Sequence, residues 1–261
     1  MTKSRRKFLR MAGVALLGCI CIQHAARAGE PSNVDRCLSF ADQMSLGAAL
    51  PHTSAKLRQG QSITIVALGS SSTTGFGTLG PSFPEVLKAE LSRRRPSLRV
   101  NMIVSGRLFD TIPGNLRRLD KDVLRFQPDL VIWQLGTNDV LWHRIGDDAK
   151  DTTRRGVQRI KQANADVILM DLQYAPAVRA RAAHAAMEEI IATIAREESV
   201  GLFLRYAIMQ RAAKEGVGGL VAYDGLHNSG AGYRCIGLAL ARMIDKEDLT
   251  AKSPVPTAQA Q

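Results

Sequence analysis

The chain carries 261 residues, 45% of them hydrophobic and 23% charged, with a formal net charge of +11. That length holds one large domain or two small ones around a buried core, and the composition is ordinary for a soluble globular protein. No segment offers the roughly 18 continuous apolar residues of a membrane-spanning helix.

The chain opens on SRRKFLR (4–10), a basic stretch with paired Arg5 and Arg6. MAGVALLGCICI (11–22) is short and apolar, and ARA (26–28) gives a small-x-small cleavage pattern. Basic, then apolar, then small is the order of a secretory signal peptide, so residues 1–28 are set aside from the fold. Arg5 and Arg6 followed by Phe8 and Leu9 resemble a twin-arginine signal, which predicts a periplasmic or secreted bacterial protein. An ordinary Sec signal, an uncleaved anchor and lipidation at Cys19 are the alternatives. Residues 1–28 hold six Lys/Arg and no Asp/Glu, so their removal takes the charge from +11 to +5. That bias is too mild for a nucleic-acid signature. The arginines at 93–95 and the pairs Arg117/Arg118 and Arg154/Arg155 are read as solvated helix faces or ends. Cys37 and Cys235 remain after cleavage. An oxidising compartment permits a disulfide between them, but two inert buried thiols are the default.

Residues 29–60 read as a polar, helical lead-in. Short apolar runs follow at ITIVAL (63–68), LRVNMIV (98–104), DLVIWQL (129–135), DVILMDL (166–172) and GLFLRY (201–206). Their length and β-branched content favour strands, apolar on both sides as buried parallel strands are. Trp133 belongs to the third. Amphipathic segments separate the runs. SFPEVLKAELSRR (82–94) places Phe83, Leu87 and Leu91 on one face, with Pro84 in the first turn. Residues 177–198 predict another helix, and 229–244 sets Tyr233, Ile236, Leu240 and Met243 on one face of a third. The tail at 249–261 has two prolines and no apolar period, and reads as disordered. Five strands alternating with helices over 61–248 predict a three-layer αβα sandwich on a five-stranded parallel sheet, with right-handed connections.

In such folds chemistry sits at the carboxyl ends of the strands. Gly69-Ser70-Ser71-Ser72-Thr73 follows the first, Ser105-Gly106 the second and Gly136-Thr137-Asn138-Asp139 the third, while Asp224-Gly225-Leu226-His227 precedes the last helix. A serine hydroxyl is a weak nucleophile and needs an adjacent base. His227 is the natural base, with Asp224 three residues before it to fix its tautomer. His52 and His184 read as surface or packing residues. No Cys/His ligand cluster appears, so neither metal nor cofactor is implied.

In this order the blocks LGSSSTTG, VNMIVSG, LGTND and DGLH resemble those of the SGNH hydrolases, the GDSL esterase/lipase family, across roughly 60–245. The resemblance implies a flavodoxin-like sandwich and hydrolysis of carboxylic esters. It implies Ser71, His227 and Asp224 as the catalytic residues, and the Ser71 N–H, Gly106 N–H and Asn138 side-chain amide as the oxyanion hole. The family's first block usually reads Gly-Asp-Ser; here Ser70 stands at the aspartate position, which predicts altered hydrogen bonding beside the nucleophile rather than lost chemistry. Arg107, Trp142 and His143 are candidates to line the substrate pocket, and Ser72 to cap the turn.

An exported esterase acting on short O-acyl or O-acetyl esters of a small molecule or polysaccharide is the leading reading. Acyl transfer to a sugar hydroxyl on the same residues is the second, and a binding module with an impaired site the third. Only 5% of residues are aromatic, which disfavours a long sugar-stacking cleft, and no long apolar lid marks a true lipase.

Overall fold

A computed structural model describes residues 31–143 and 145–250. The segment read as a signal peptide, and residues 251–261 of the tail, lie outside the described residues. The strands are β1 (Ser62–Gly69), β2 (Arg99–Gly106), β3 (Leu130–Gln134), β4 (Asp166–Met170) and β5 (Gly201–Phe203). Every pairing between them is parallel, in the order β2-β1-β3-β4-β5. That order is the flavodoxin-like arrangement, in which the chain reverses its direction of winding beside β1.

The helices are α1 (Asn33–Ala41), α2 (Pro51–Gln59), α3 (Ser71–Thr74), α4 (Phe83–Arg94), α5 (Ile112–Arg117), α6 (Leu119–Asp122), α7 (Thr137–Leu141), α8 (Asp147–Gln162), α9 (Pro176–Arg179), α10 (His184–Glu197), α11 (Arg205–Lys214) and α12 (Gly230–Thr250). Strand alternation sorts them into two layers. Ile63, Ile65 and Ala67 of β1 face a core built with α1, α2, α4, α11 and α12. Val66 and Leu68 face the other, built with α5, α6, α8 and α10. Each fully buried Leu or Ile contributes about 1.5–3 kcal/mol, so both faces of the sheet are covered at substantial gain.

The helix faces form as their sequences predict. Phe83, Leu87 and Leu91 are fully buried. Pro84 lies in the first turn of α4, and Ser82 and Glu85 close a capping box. Tyr233, Ile236, Leu240 and Met243 are buried along α12.

The structure corrects several details. The run GLFLRY is strand only over 201–203; Arg205 and Tyr206 already belong to α11. The predicted helix over 177–198 is two helices, α9 and α10, separated at 180–183. β2 is an edge strand, with Arg99, Asn101 and Val104 exposed, rather than buried on both sides. Cys37 and Cys235 are not two inert thiols. They form a disulfide, with Cα atoms 6.1 Å apart, which ties α1 to α12. The pair Arg117/Arg118 is not wholly solvated either, because Arg118 is buried.

Candidate active site

β1 ends at Gly69, and α3 begins two residues later with Ser71. The chain therefore turns from strand to helix at Ser70, which holds an extended backbone (φ −102°, ψ −150°), and Ser71 emerges at the helix start. Its Oγ lies 2.8 Å from His227 Nε2. The other ring nitrogen, Nδ1, lies 2.5 Å from Asp224 Oδ2. A carboxylate at Nδ1 fixes the proton there, which leaves Nε2 to accept from the serine hydroxyl.

Local bonds explain the three-residue spacing of Asp224 and His227. Asp224 Oδ1 accepts from the N–H groups of Leu226 and His227, each at 2.9 Å, so one oxygen closes the turn and the other faces the imidazole. Partial burial works against ionisation of this carboxyl. The two N–H donors and the imidazole outweigh it and hold the group below its ordinary value. The Ala222 N–H donates to the His227 carbonyl at 2.8 Å, closing a small hairpin, and the Phe76 ring stands 4.7 Å from the imidazole. His227 is thus fixed in rotamer and tautomer, which suits it to move a proton to and from Ser71.

The residues expected to supply oxyanion donors stand at the ends of β1, β2 and β3. Gly69 and Gly106 are partners in the β1–β2 register, which brings the end of β2 beside α3. A Cβ at Gly106 would sit 2.9 Å from the Ser70 carbonyl and 3.0 Å from the Thr74 nitrogen, so only glycine fits. Asn138 stands in the first turn of α7. Gly136, which caps that helix at φ +87°, needs the left-handed backbone that glycine alone takes freely. Asn138 Nδ2 donates to the Asp110 carbonyl at 2.7 Å, which orients the amide. Asp139 is buried, and its two carboxylate oxygens accept the Ile112 N–H at 3.2 Å, tying α7 to α5.

Ser70, the position of the usual aspartate, is buried. Its N–H and its hydroxyl each donate to Gln134 Oε1 at 3.0 Å, and the Thr73 hydroxyl donates to the same oxygen at 3.2 Å. Ser72 turns inward and hydrogen-bonds Tyr233.

The three pocket candidates separate. Arg107 directs its guanidinium to Asp122 at 2.7 Å. Trp142 stacks on Phe109 with centroids 6.4 Å apart, and both are exposed. His143 is exposed with φ +56°. His52 stands in α2, and His184, at the start of α10, stacks on Tyr206 with ring centroids 5.5 Å apart.

Three buried residues that sequence reasoning passed over complete the surroundings. Gln134 holds the first block, as described. Gln173 accepts from the Thr137 hydroxyl at 2.9 Å and donates to the Leu226 carbonyl at 3.1 Å, joining the third block to the fourth. Arg118 donates to the carbonyls of Gly69 and Ser105 at 2.9 and 3.0 Å. A polar residue following or ending an apolar strand was the available signal for the two glutamines. Arg118 gave none.

Large hydrophobic side chains exposed among the described residues gather at the same blocks. Phe76 and Leu79 follow the first, Leu108 and Phe109 the second and Trp142 the third, while Tyr223 precedes Asp224.

The chain is similar to known proteins in sequence and in fold. The chain is 30% identical over 139 residues to thioesterase 1/protease 1/lysophospholipase L1 of Escherichia coli K12, a match covering 53% of this chain and 64% of that protein. Among solved structures, Axe2, an acetylxylan esterase from Geobacillus stearothermophilus, superposes with a TM-score of 0.59 at 22% identity, over 70% of this chain and 94% of its own. A two-domain esterase active on acetylated mannans superposes with a TM-score of 0.66 at 18% identity, over 82% of this chain and 58% of its own. These two likenesses establish the shared fold. A family model, that of the non-GDSL lipase-like family, covers residues 36–248, nearly all of the described domain. The chain belongs to the non-GDSL lipase-like family.

Proposed function

We propose that this protein is an exported serine esterase that hydrolyses short O-acyl esters, O-acetyl esters above all, of a small molecule or saccharide. The observation that carries the reading is the hydrogen-bonded series from Ser71 Oγ to His227 Nε2 at 2.8 Å and from His227 Nδ1 to Asp224 at 2.5 Å. In the proposed cycle Ser71 Oγ attacks the ester carbonyl carbon as His227 Nε2 takes its proton. The carbonyl oxygen becomes an oxyanion received by the Ser71 and Gly106 N–H groups and the Asn138 amide. His227 then returns its proton to the departing alkoxide, leaving an acyl group on Ser71. Water activated by the same nitrogen attacks that ester, and the carboxylic acid leaves as Ser71 regains its proton. Asp224 stabilises the imidazolium throughout.

The stacked Phe109–Trp142 pair beside Asn138 offers a flat surface for a sugar ring or an apolar leaving group. Esters of acetylated glycans are substrates of two structural relatives by their descriptions, and the same class is proposed here. Export rests on the twin-arginine-like sequence at residues 4–10, and the Cys37–Cys235 disulfide suits an oxidising compartment. The test is hydrolysis of p-nitrophenyl acetate and acetylated oligosaccharides, with fluorophosphonate labelling to locate the nucleophile. Ser71→Ala is expected to abolish both turnover and labelling. Retained activity in Ser71→Ala overturns the assignment.

A further inference from the structure

We infer that Arg118 is a positioning residue of the oxyanion site, gripping the peptide between Ser105 and Gly106 from behind so that the Gly106 N–H is aimed and polarised toward the substrate oxygen. The inference rests on the oxyanion role proposed above for Gly106. Its basis is an accounting of one guanidinium. Arg118 sits at the junction of α5 and α6 and is buried. Its Nε donates to Asp110 Oδ2 at 2.6 Å. Nη1 donates to Ser105 Oγ at 2.6 Å and contacts Asp122 Oδ2 at 3.4 Å. Nη2 donates to the carbonyls of Gly69 and Ser105 at 2.9 and 3.0 Å. All five N–H donors of an arginine are thereby directed at acceptors.

Two of those acceptors matter for chemistry. The Ser105 carbonyl and the Gly106 N–H belong to one planar amide. Holding the oxygen at one edge of that plane fixes the direction of the N–H at the other. A cationic donor on the carbonyl also draws electron density from the nitrogen and makes its N–H a stronger donor, since linked hydrogen bonds polarise one another. The Gly69 carbonyl likewise shares its amide with the Ser70 N–H, which is held by Gln134 at the entrance to α3. Asp110 extends the arrangement to a third donor. Its carboxylate holds Arg118, and its own carbonyl accepts from Asn138 Nδ2. A single ion pair therefore reaches the surroundings of each proposed oxyanion donor.

Removing an oxyanion donor outright costs roughly 100- to 1,000-fold in rate, so misaiming one while keeping it present is expected to cost about tenfold. The test uses the whole protein and Arg118→Lys, which keeps a cation but cannot span both carbonyls. Rates are normalised to the fraction of Ser71 labelled by a fluorophosphonate. The expected result is a loss of about tenfold in kcat for p-nitrophenyl acetate with KM within about twofold, and an equal loss of affinity for a boronic acid that forms a tetrahedral adduct on Ser71. A purely structural role would lower the melting temperature and the labelled fraction without changing kcat per labelled site. That outcome overturns the inference. If Arg118→Lys does not fold, Asp110→Asn loosens the guanidinium and leaves the backbone carbonyl on Asn138. It is expected to show the same split at about threefold, and an unchanged kcat there overturns the inference as well. A wild-type protein that is not labelled at Ser71 refutes the proposed function itself. A labelled, active wild type with an unimpaired Arg118→Lys refutes this inference alone.

Discussion

Replacing both Cys37 and Cys235 by alanine is the most demanding test of how this domain is held together. The disulfide joins residues separated by 198 positions, so the loop it closes is nearly the whole described domain. In the chain-entropy account, closing a loop of that size removes about 5 kcal/mol of freedom from the unfolded state at 25 °C. Domains of this class are stable by roughly 5–15 kcal/mol in total, so the cross-link is a large share. Each kcal/mol corresponds to roughly 2–4 °C in a domain of this size, which places the expected fall in melting temperature at about 10–20 °C. Both sulfurs are fully buried, so alanine also leaves a small cavity and deepens the fall. Wild-type protein reduced and refolded without oxidant isolates the cross-link from that packing loss. Calorimetry on the three samples, with thiol titration in denaturant, makes the comparison. Two titratable thiols in protein produced in an oxidising compartment and purified without reductant would refute the pairing. Equal melting of oxidised and reduced wild type, within about 2 °C, would refute the entropic argument.

Two further predictions concern the surroundings of the site. Ser70→Asp restores the residue usual at that position but sets a carboxylate against Gln134 Oε1, which already accepts from the backbone N–H at 70 and from Thr73. Turning the Gln134 amide relieves the clash and strands those donors, so a loss of about 1–3 kcal/mol is expected with activity retained. A variant more stable than wild type in urea titration would show that the Ser70–Gln134 bonds do not matter as described. The second prediction follows from Asp171, just past β4, where burial pushes the carboxyl up to about 7 despite the Tyr206 N–H and Arg205 nearby. A carboxyl with a raised folded value is held protonated by the fold. The fold therefore loses stability as pH climbs from the ordinary value, 3.8, through about 7. Melting temperature is expected to be higher at pH 5.5 than at pH 8, with Asp171→Asn flattening that slope. An identical slope in the variant would assign it to other groups.

Periodicity made the sheet legible because each buried parallel strand is a continuous apolar run. β5 ran too long in that reading because Leu204, Arg205 and Tyr206 continue the same texture into α11. Tyr206 and Arg205 are buried there through tertiary contacts, including Arg205 donating to the Asp171 carbonyl, which no local pattern encodes. α8 escaped notice because its polar face dominates the composition of that stretch. The candidate site residues were legible for a different reason. Glycine and short polar residues at strand ends stand out against apolar runs, and among them the resemblance to the SGNH hydrolases singled out Ser71, Gly106 and Asn138 as candidates. Arg118 did not, because a buried arginine and a solvated one look alike in sequence. Only the convergence of two strand-end carbonyls, Asp110 and Ser105 upon it gives it a role.

That convergence points to how four separate loops act as one site. Strand register brings Gly69 level with Gly106, but register alone cannot hold an imidazole at 2.8 Å from a hydroxyl. The remaining precision comes from three buried polar side chains, each bridging two pieces. Arg118 ties the ends of β1 and β2 through their carbonyls. Gln134, the last residue of β3, receives three donors from the turn that carries Ser71. Gln173, beyond β4, clasps Thr137 with its oxygen and the Leu226 carbonyl with its nitrogen, which fixes the loop of His227 to the turn of Asn138. Buried amides and guanidinium groups are costly unless every partner is met, and each of these meets its partners across a strand gap. A serine at position 70 is compatible with this scheme because its hydroxyl points to Gln134 rather than toward His227. A residue there need only be small and able to donate. The carboxylate that meets His227 comes instead from Asp224, whose Oδ2 lies 2.5 Å from Nδ1.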